Sequence, residues 1–123
     1  MASKMIEFKH IFNNVEKTFN HIEDLLYYDE PLISLYETIQ SERALFVAIT
    51  LKDKESRWAI VLLTKEQEHD YLRKKVDLRS LMLSKKSIYT FEYGVNNDIL
   101  NFQEVLIEDY PEEDLPEEGL YNS

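Results

Sequence analysis

Two apolar runs joined by a bend that contains no apolar residue constrain this chain more than any other feature. Ala44-Leu45-Phe46-Val47-Ala48-Ile49-Thr50-Leu51 comes first and Trp58-Ala59-Ile60-Val61-Leu62-Leu63 follows, with Lys52-Asp53-Lys54-Glu55-Ser56-Arg57 between them. Each run has the length of a strand and is rich in β-branched and aromatic side chains, so two central antiparallel strands are predicted. Neither run alternates strictly between apolar and polar residues, and such strands require cover on both faces of their sheet.

Working outward from this hairpin gives the remaining elements. Phe8, Ile11, Phe12, Val15, Phe19, Ile22, Leu25 and Leu26 recur in steps of mostly three and four, which predicts an amphipathic helix from Phe8 to Leu26. Asn13-Asn14 is its weak point, because asparagine is a poor helix former, and a strand beginning near Ile22 is the alternative. Asp29-Glu30-Pro31 reads as a turn, and residues 32–38 as a strand that completes a three-strand meander with 44–51 and 57–63. Thr64 followed by Gln67 is a capping box that opens a helix from Lys65 to Lys75. Asp77 caps a second, short helix that turns Leu78, Leu81 and Met82 toward the sheet, with Lys85-Lys86 at its C-terminal end. Residues 87–93 alternate as a strand, Gly94 to Asp98 is turn chemistry, and Ile99 to Ile107 returns as a strand. The expected fold is α+β: an antiparallel sheet of about five strands, an N-terminal helix, and two short helices between the third and fourth strands.

Residues 1–107 are expected to form a single domain and 108–123 an acidic, partly irregular segment. A chain of 123 residues with 44% hydrophobic residues is long enough to bury a core of its own. Without cysteine it has no disulfide, thiol nucleophile or thiolate metal ligand, and a cytoplasmic setting is expected. The first residues show no basic leader with an apolar run behind it, and no apolar run is long enough to span a bilayer.

Few residues carry a signal for chemistry. Glu66-x-x-His69 has the spacing of half a di-iron carboxylate site, but the second copy that such a site needs is missing. On a helix, His10 and His21 would stand about 16 Å apart and could not share a metal. A phosphate-cradling loop is ruled out with Gly94 and Gly119 as the only glycines, and no serine sits in a nucleophile elbow. The expectation is a protein that is not an enzyme and carries no cofactor, metal site or catalytic residue.

Charge is the stronger signal. The net charge is −10, and eight of the 24 acids lie from Glu104 onward with no lysine or arginine among them. The first 103 residues hold the other 16 acids against all 14 basic residues and are close to neutral. No basic stripe exists to meet nucleic-acid phosphates, so a protein with a basic surface is the expected partner. Asp109, Glu112, Glu113, Asp114, Glu117 and Glu118 are the candidate binding carboxylates and Tyr110 the candidate aromatic anchor.

Tyr27-Tyr28-Asp29-Glu30-Pro31-Leu32, the Arg57-Trp58 start of a strand, Val76-Asp77-Leu78-Arg79-Ser80-Leu81, and Leu115-Pro116-Glu117-Glu118-Gly119-Leu120-Tyr121 are four short stretches that together resemble a family of small uncharacterised domains of bacteria and their phages. The family pattern is a tyrosine-rich D-G-P turn, a strand containing tryptophan, an I-S-L-R-x-hydrophobic helix and a closing L-P-E-x-G-hydrophobic segment. The resemblance covers about residues 22 to 121, and Glu30 departs from it where the family has glycine. It implies a bacterial or phage source, a mixed α+β fold and a closing segment docked on the domain, and it brings no known activity. The functional expectation is an inhibitor, immunity or regulatory factor that occludes a basic surface of a partner protein. The alternatives are an acidic mimic of nucleic acid that blocks a nuclease or DNA-binding protein, a small hydrolase or metal enzyme, and a homodimer if a sheet face is left exposed.

Overall fold

The computed structural model describes residues 6–28, 30–51, 56–94, 96, 98–117 and 119. Among them, seven strands follow one another: β1 (Glu7–Phe12), β2 (Val15–Tyr28), β3 (Glu30–Glu37), β4 (Arg43–Leu51), β5 (Ser56–Leu63), β6 (Ser87–Tyr93) and β7 (Ile99–Leu106). Helices α1 (Lys65–Leu72) and α2 (Leu78–Leu83) lie between β5 and β6. Each strand pairs antiparallel with its sequence neighbour, in the order β1 to β7. The fold is therefore mainly β, a curled antiparallel half-barrel with two short helices, rather than an α+β fold of five strands behind an N-terminal helix.

The overturned element is the predicted helix from Phe8 to Leu26, which is the hairpin β1–β2. Asn13 and Asn14 stand at φ 49° and 68°, and Phe12 pairs with Val15 across them. That is a two-residue hairpin turn with both central residues left-handed, a conformation asparagine tolerates better than most residues. The same apolar positions satisfy both readings. Phe8 and Phe12 alternate on one strand, and Phe19 pairs with Phe8 across the turn, so all three point to one side of the sheet. Their helix-like spacing is a coincidence of an aromatic strand period with a two-residue turn. Ile11, Val15 and Ile22, which a helix would have turned to the core, are exposed.

The central hairpin is present as read, and both its faces are covered. On one face Leu45, Val47, Ala59 and Val61 pack with Tyr71 of α1 and Leu78, Leu81 and Met82 of α2. On the other, Ala44, Phe46 and Ile60 join Phe8, Phe12, Phe19, Tyr36, Tyr89 and Phe91 in an aromatic cluster. Curling brings the two ends of the strand order together: the Phe8 ring lies 4.7 Å from Phe91 and 6.0 Å from Phe102, and Phe12 is 4.9 Å from Tyr89. Asn13 Nδ2 donates to the Tyr89 hydroxyl at 2.9 Å and fixes the hairpin over β6. No backbone hydrogen bond joins β1 to β7 among the described residues, so the barrel is left open on that side.

Both predicted helix starts are in place. Thr64 and Gln67 bond reciprocally as a capping box, and the Asp77 side chain accepts from the Ser80 backbone N–H. Helix α1 stops at Leu72, short of Lys75, where Arg73 caps it and Lys74 turns left-handed at φ 60°. A helix of six residues does not hold alone in water, so α2 depends on burying Leu78, Leu81 and Met82, worth roughly 1.5–3 kcal/mol each.

Candidate functional site

The acidic segment is ordered against the domain by contacts that the sequence only hints at. After β7 the chain makes two 3-10 turns, Ile107–Asp109 and Glu112–Asp114. Between them Tyr110 is only 7% exposed and packs into the helix-side cluster, with Leu115 against the same cluster. The Tyr110 hydroxyl donates to the Asp114 carbonyl at 3.4 Å. Burial, reinforced by the charge of Asp114 and opposed by Arg57, pushes its pKa up to about 12.

Two arginines and one aspartate hold the segment from below. Arg79 on α2 donates to the Pro116 carbonyl at 3.2 Å and pairs with Glu112. Arg57 at the start of β5 lies 3.6 Å from Asp114. Asp77 uses both carboxylate oxygens: Oδ1 takes the Ser80 N–H as helix cap, and Oδ2 accepts the Gly119 N–H at 2.8 Å. Hydrogen bonds from the Ser80 side chain, then from the Gly119 and Ser80 backbones, hold its carboxyl below the usual aspartate range. Gly119 stands at φ +81° with open space around the position a Cβ would take, so glycine is needed there for its backbone and not for room. The stretches that begin at Val76 and at Leu115, singled out separately in the sequence, thus bond to each other through Asp77, Arg79, Pro116 and Gly119.

The predicted site residues divide accordingly. Glu112 and Asp114 are spent on Arg79 and Arg57 of their own domain. Tyr110 faces its own core and is buried there. Asp109, Glu113 and Glu117 are exposed, as is Glu108, and none of these four has a hydrogen bond or ion pair among the described residues. Glu118, Leu120 and Tyr121 lie outside the described residues. The arrangement is a folded negative ridge: part of its charge fastens it, and the rest faces solvent.

A second polar group, missed in the sequence, sits on β2 and β3 where the β2 register slips between His21 and Leu26. Asp24 Oδ1 lies 2.7 Å from His21 Nε2 and accepts from the Ser34 hydroxyl at 2.8 Å. The His21 and Asp24 side chains are only 11% and 16% exposed. Tyr36 stands edge-on to the His21 ring at 5.3 Å, and burial, with smaller contributions from the charge of Asp24 and from Tyr93, raises its pKa. The carboxylate, not the imidazole, is at the centre, and the serine donates to it. A serine nucleophile donates its hydroxyl to the base; here the Ser34 hydroxyl donates to the Asp24 carboxylate instead, and the group fastens a bulged strand. His10 is stacked on Phe102 at 4.1 Å, and His69 on α1 is exposed beside Asp70. Among the described residues no three His, Asp or Glu side chains are grouped to hold a metal ion, and no helix is long and apolar enough to cross a membrane.

Comparison with protein-family models, with curated proteins and with solved structures finds no match to this chain.

Proposed function

We propose that this protein is a protein-binding module that presents its docked acidic segment to a basic surface of a partner and so occludes it. The observation that carries the reading is the division of labour within the segment. Tyr110, Glu112 and Asp114 fix its path, while Glu108, Asp109, Glu113 and Glu117 are exposed and have no ion pair among the described residues. Carboxylates held in place before a partner arrives lose less freedom on binding than the same charges on a free tail. They also steer association with a basic surface, at rates that fall as salt rises. This is the chemistry an inhibitor, immunity or regulatory factor needs.

The test is affinity capture with the full chain, comparing wild type with the variant Glu108→Gln, Asp109→Asn, Glu113→Gln, Glu117→Gln. All four positions are exposed, so the variant should match wild type in circular dichroism and thermal unfolding. Wild type should retain a basic protein at low ionic strength and release it as salt rises, and the variant should fail to retain it. Identical capture by both proteins would overturn it.

A further inference from the structure

We infer that the free edge of β7 is the docking site for an extended basic segment of the partner, which adds to the sheet as an eighth strand. The inference rests on the proposed acidic-surface function and specifies how the partner is held. Strand β7 is the last in the sheet, with β6 on one side and no strand on the other among the described residues. Every second residue along it therefore points a backbone N–H and C=O outward with no ladder partner.

Natural edges are blunted with lysine, proline, bulges or a covering element. Strand β7 has no lysine or proline. It carries one irregularity: Asn101 is at φ 52°, and the register steps from Glu92↔Leu100 to Thr90↔Gln103. Beyond it the pairing runs unbroken from Gln103 to Leu106, and Ile107 N–H extends it to the Lys86 carbonyl at 2.9 Å. That leaves the four residues from Gln103 to Leu106, roughly 14 Å of extended edge, for a short strand to follow before the 3-10 turn begins at Ile107. The opposite edge differs. Strand β1 carries Lys9 and stacks His10 on Phe102.

Charge selects the occupant. Glu104 lies exposed on β7, Glu108 and Asp109 follow directly, and no basic residue occurs from Glu104 to the end of the chain. Leu106 is 41% exposed and offers an apolar contact between these acids. A second copy of this chain pairing through β7 would lay two sets of carboxylates along one ladder, which is repulsive. A segment alternating lysine or arginine with β-branched residues meets both the charge and the apolar contact.

The probe is a capped heptapeptide alternating lysine and valine, with two controls: the same peptide N-methylated at every residue, and its glutamate-valine counterpart. Binding to the isotopically labelled full chain is followed by amide hydrogen exchange and by titration. The expected result is slowed exchange at Glu104 and Leu106, whose N–H groups face away from β6, with little change at the intervening residues already bonded to it. The N-methylated peptide should bind about tenfold more weakly or worse, having lost its backbone donors, and the acidic peptide should not bind. Equal binding of the methylated and unmethylated peptides, with changes only at residues 108–117, would overturn the edge and leave the acidic-surface function standing. Equal binding of the acidic peptide would overturn the function as well. Protection of β7 that grows with protein concentration and needs no peptide would replace the proposed occupant with a second copy. Failure of the lysine peptide to bind at low salt would overturn the edge site.

Discussion

Replacing Tyr71 with phenylalanine should leave the protein as stable as wild type or more so. Tyr71 is fully buried beneath α1, and its hydroxyl has no hydrogen-bond partner among the described residues. A buried hydroxyl without a partner costs roughly 1–3 kcal/mol in lost hydration. Removing the oxygen recovers this and gives part of it back as a small void, for a net gain of about 1 kcal/mol. In a chain of this size that corresponds to about 3–5 °C in Tm. The ring itself is needed: Tyr71→Ala should cost about 3–5 kcal/mol. The alkaline limb adds an independent readout. Burial pushes the Tyr71 pKa up to about 12, whereas an unfolded tyrosine titrates near ~10. Because the folded value is the higher one, this contribution is fully present below pH ~10 and is lost as pH rises toward about 12. Tyr71→Phe should therefore lose less stability across that interval, by an amount on the order of 2 kcal/mol. Urea denaturation of the three proteins at neutral pH and at intervals above pH ~10 checks both effects. A phenylalanine variant destabilised by more than about 1 kcal/mol would show that the hydroxyl has a partner after all and refute the reasoning.

Other consequences can be checked with equally small changes. Valine at Asn13 and Asn14 together should cost about 2–4 kcal/mol in urea denaturation, because a β-branched residue at positive φ is strained at both positions. An unchanged midpoint would mean that these residues do not form the turn. Asp77→Asn keeps one acceptor oxygen, enough to cap α2 but not also to hold Gly119, and should cost about 1 kcal/mol and speed amide exchange at Gly119. Asp77 titrates below its usual range, so its contribution is present above the unfolded pKa of ~3.9 and is lost as pH falls through the lower folded value. Wild-type exchange at Gly119 should accelerate there, and exchange in Asp77→Asn should not respond.

Much of the middle of this fold is legible in the chain because several local signals agree. The two apolar runs fix β4 and β5, the pair Thr64 and Gln67 fixes the start of α1, and Asp77 fixes that of α2. The N-terminal third is not legible from periodicity alone. A helix and a two-residue hairpin put Phe8, Phe12 and Phe19 together equally well, and only the conformation of Asn13-Asn14 decides between them. That choice propagates to the polar residues. On a helix His21 falls on the surface, whereas on the hairpin it turns inward beside Tyr36, where a slipped strand brings Asp24 under it. The acidic segment is legible as charge but not as structure. Nothing local tells Glu112 and Asp114, held by arginines from α2 and β5, apart from Glu113, which faces solvent.

That distinction can be measured directly. The affinity of the captured partner should be measured against ionic strength for wild type, for the variant with Glu108, Asp109, Glu113 and Glu117 neutralised, and for Glu112→Gln with Asp114→Asn. Neutralising the four exposed carboxylates should remove most of both the affinity and its salt dependence. Neutralising the two paired ones should lower stability and leave the salt dependence in place. Salt dependence carried by the paired carboxylates and not by the exposed ones would mean that the partner is not held by the exposed edge of the segment.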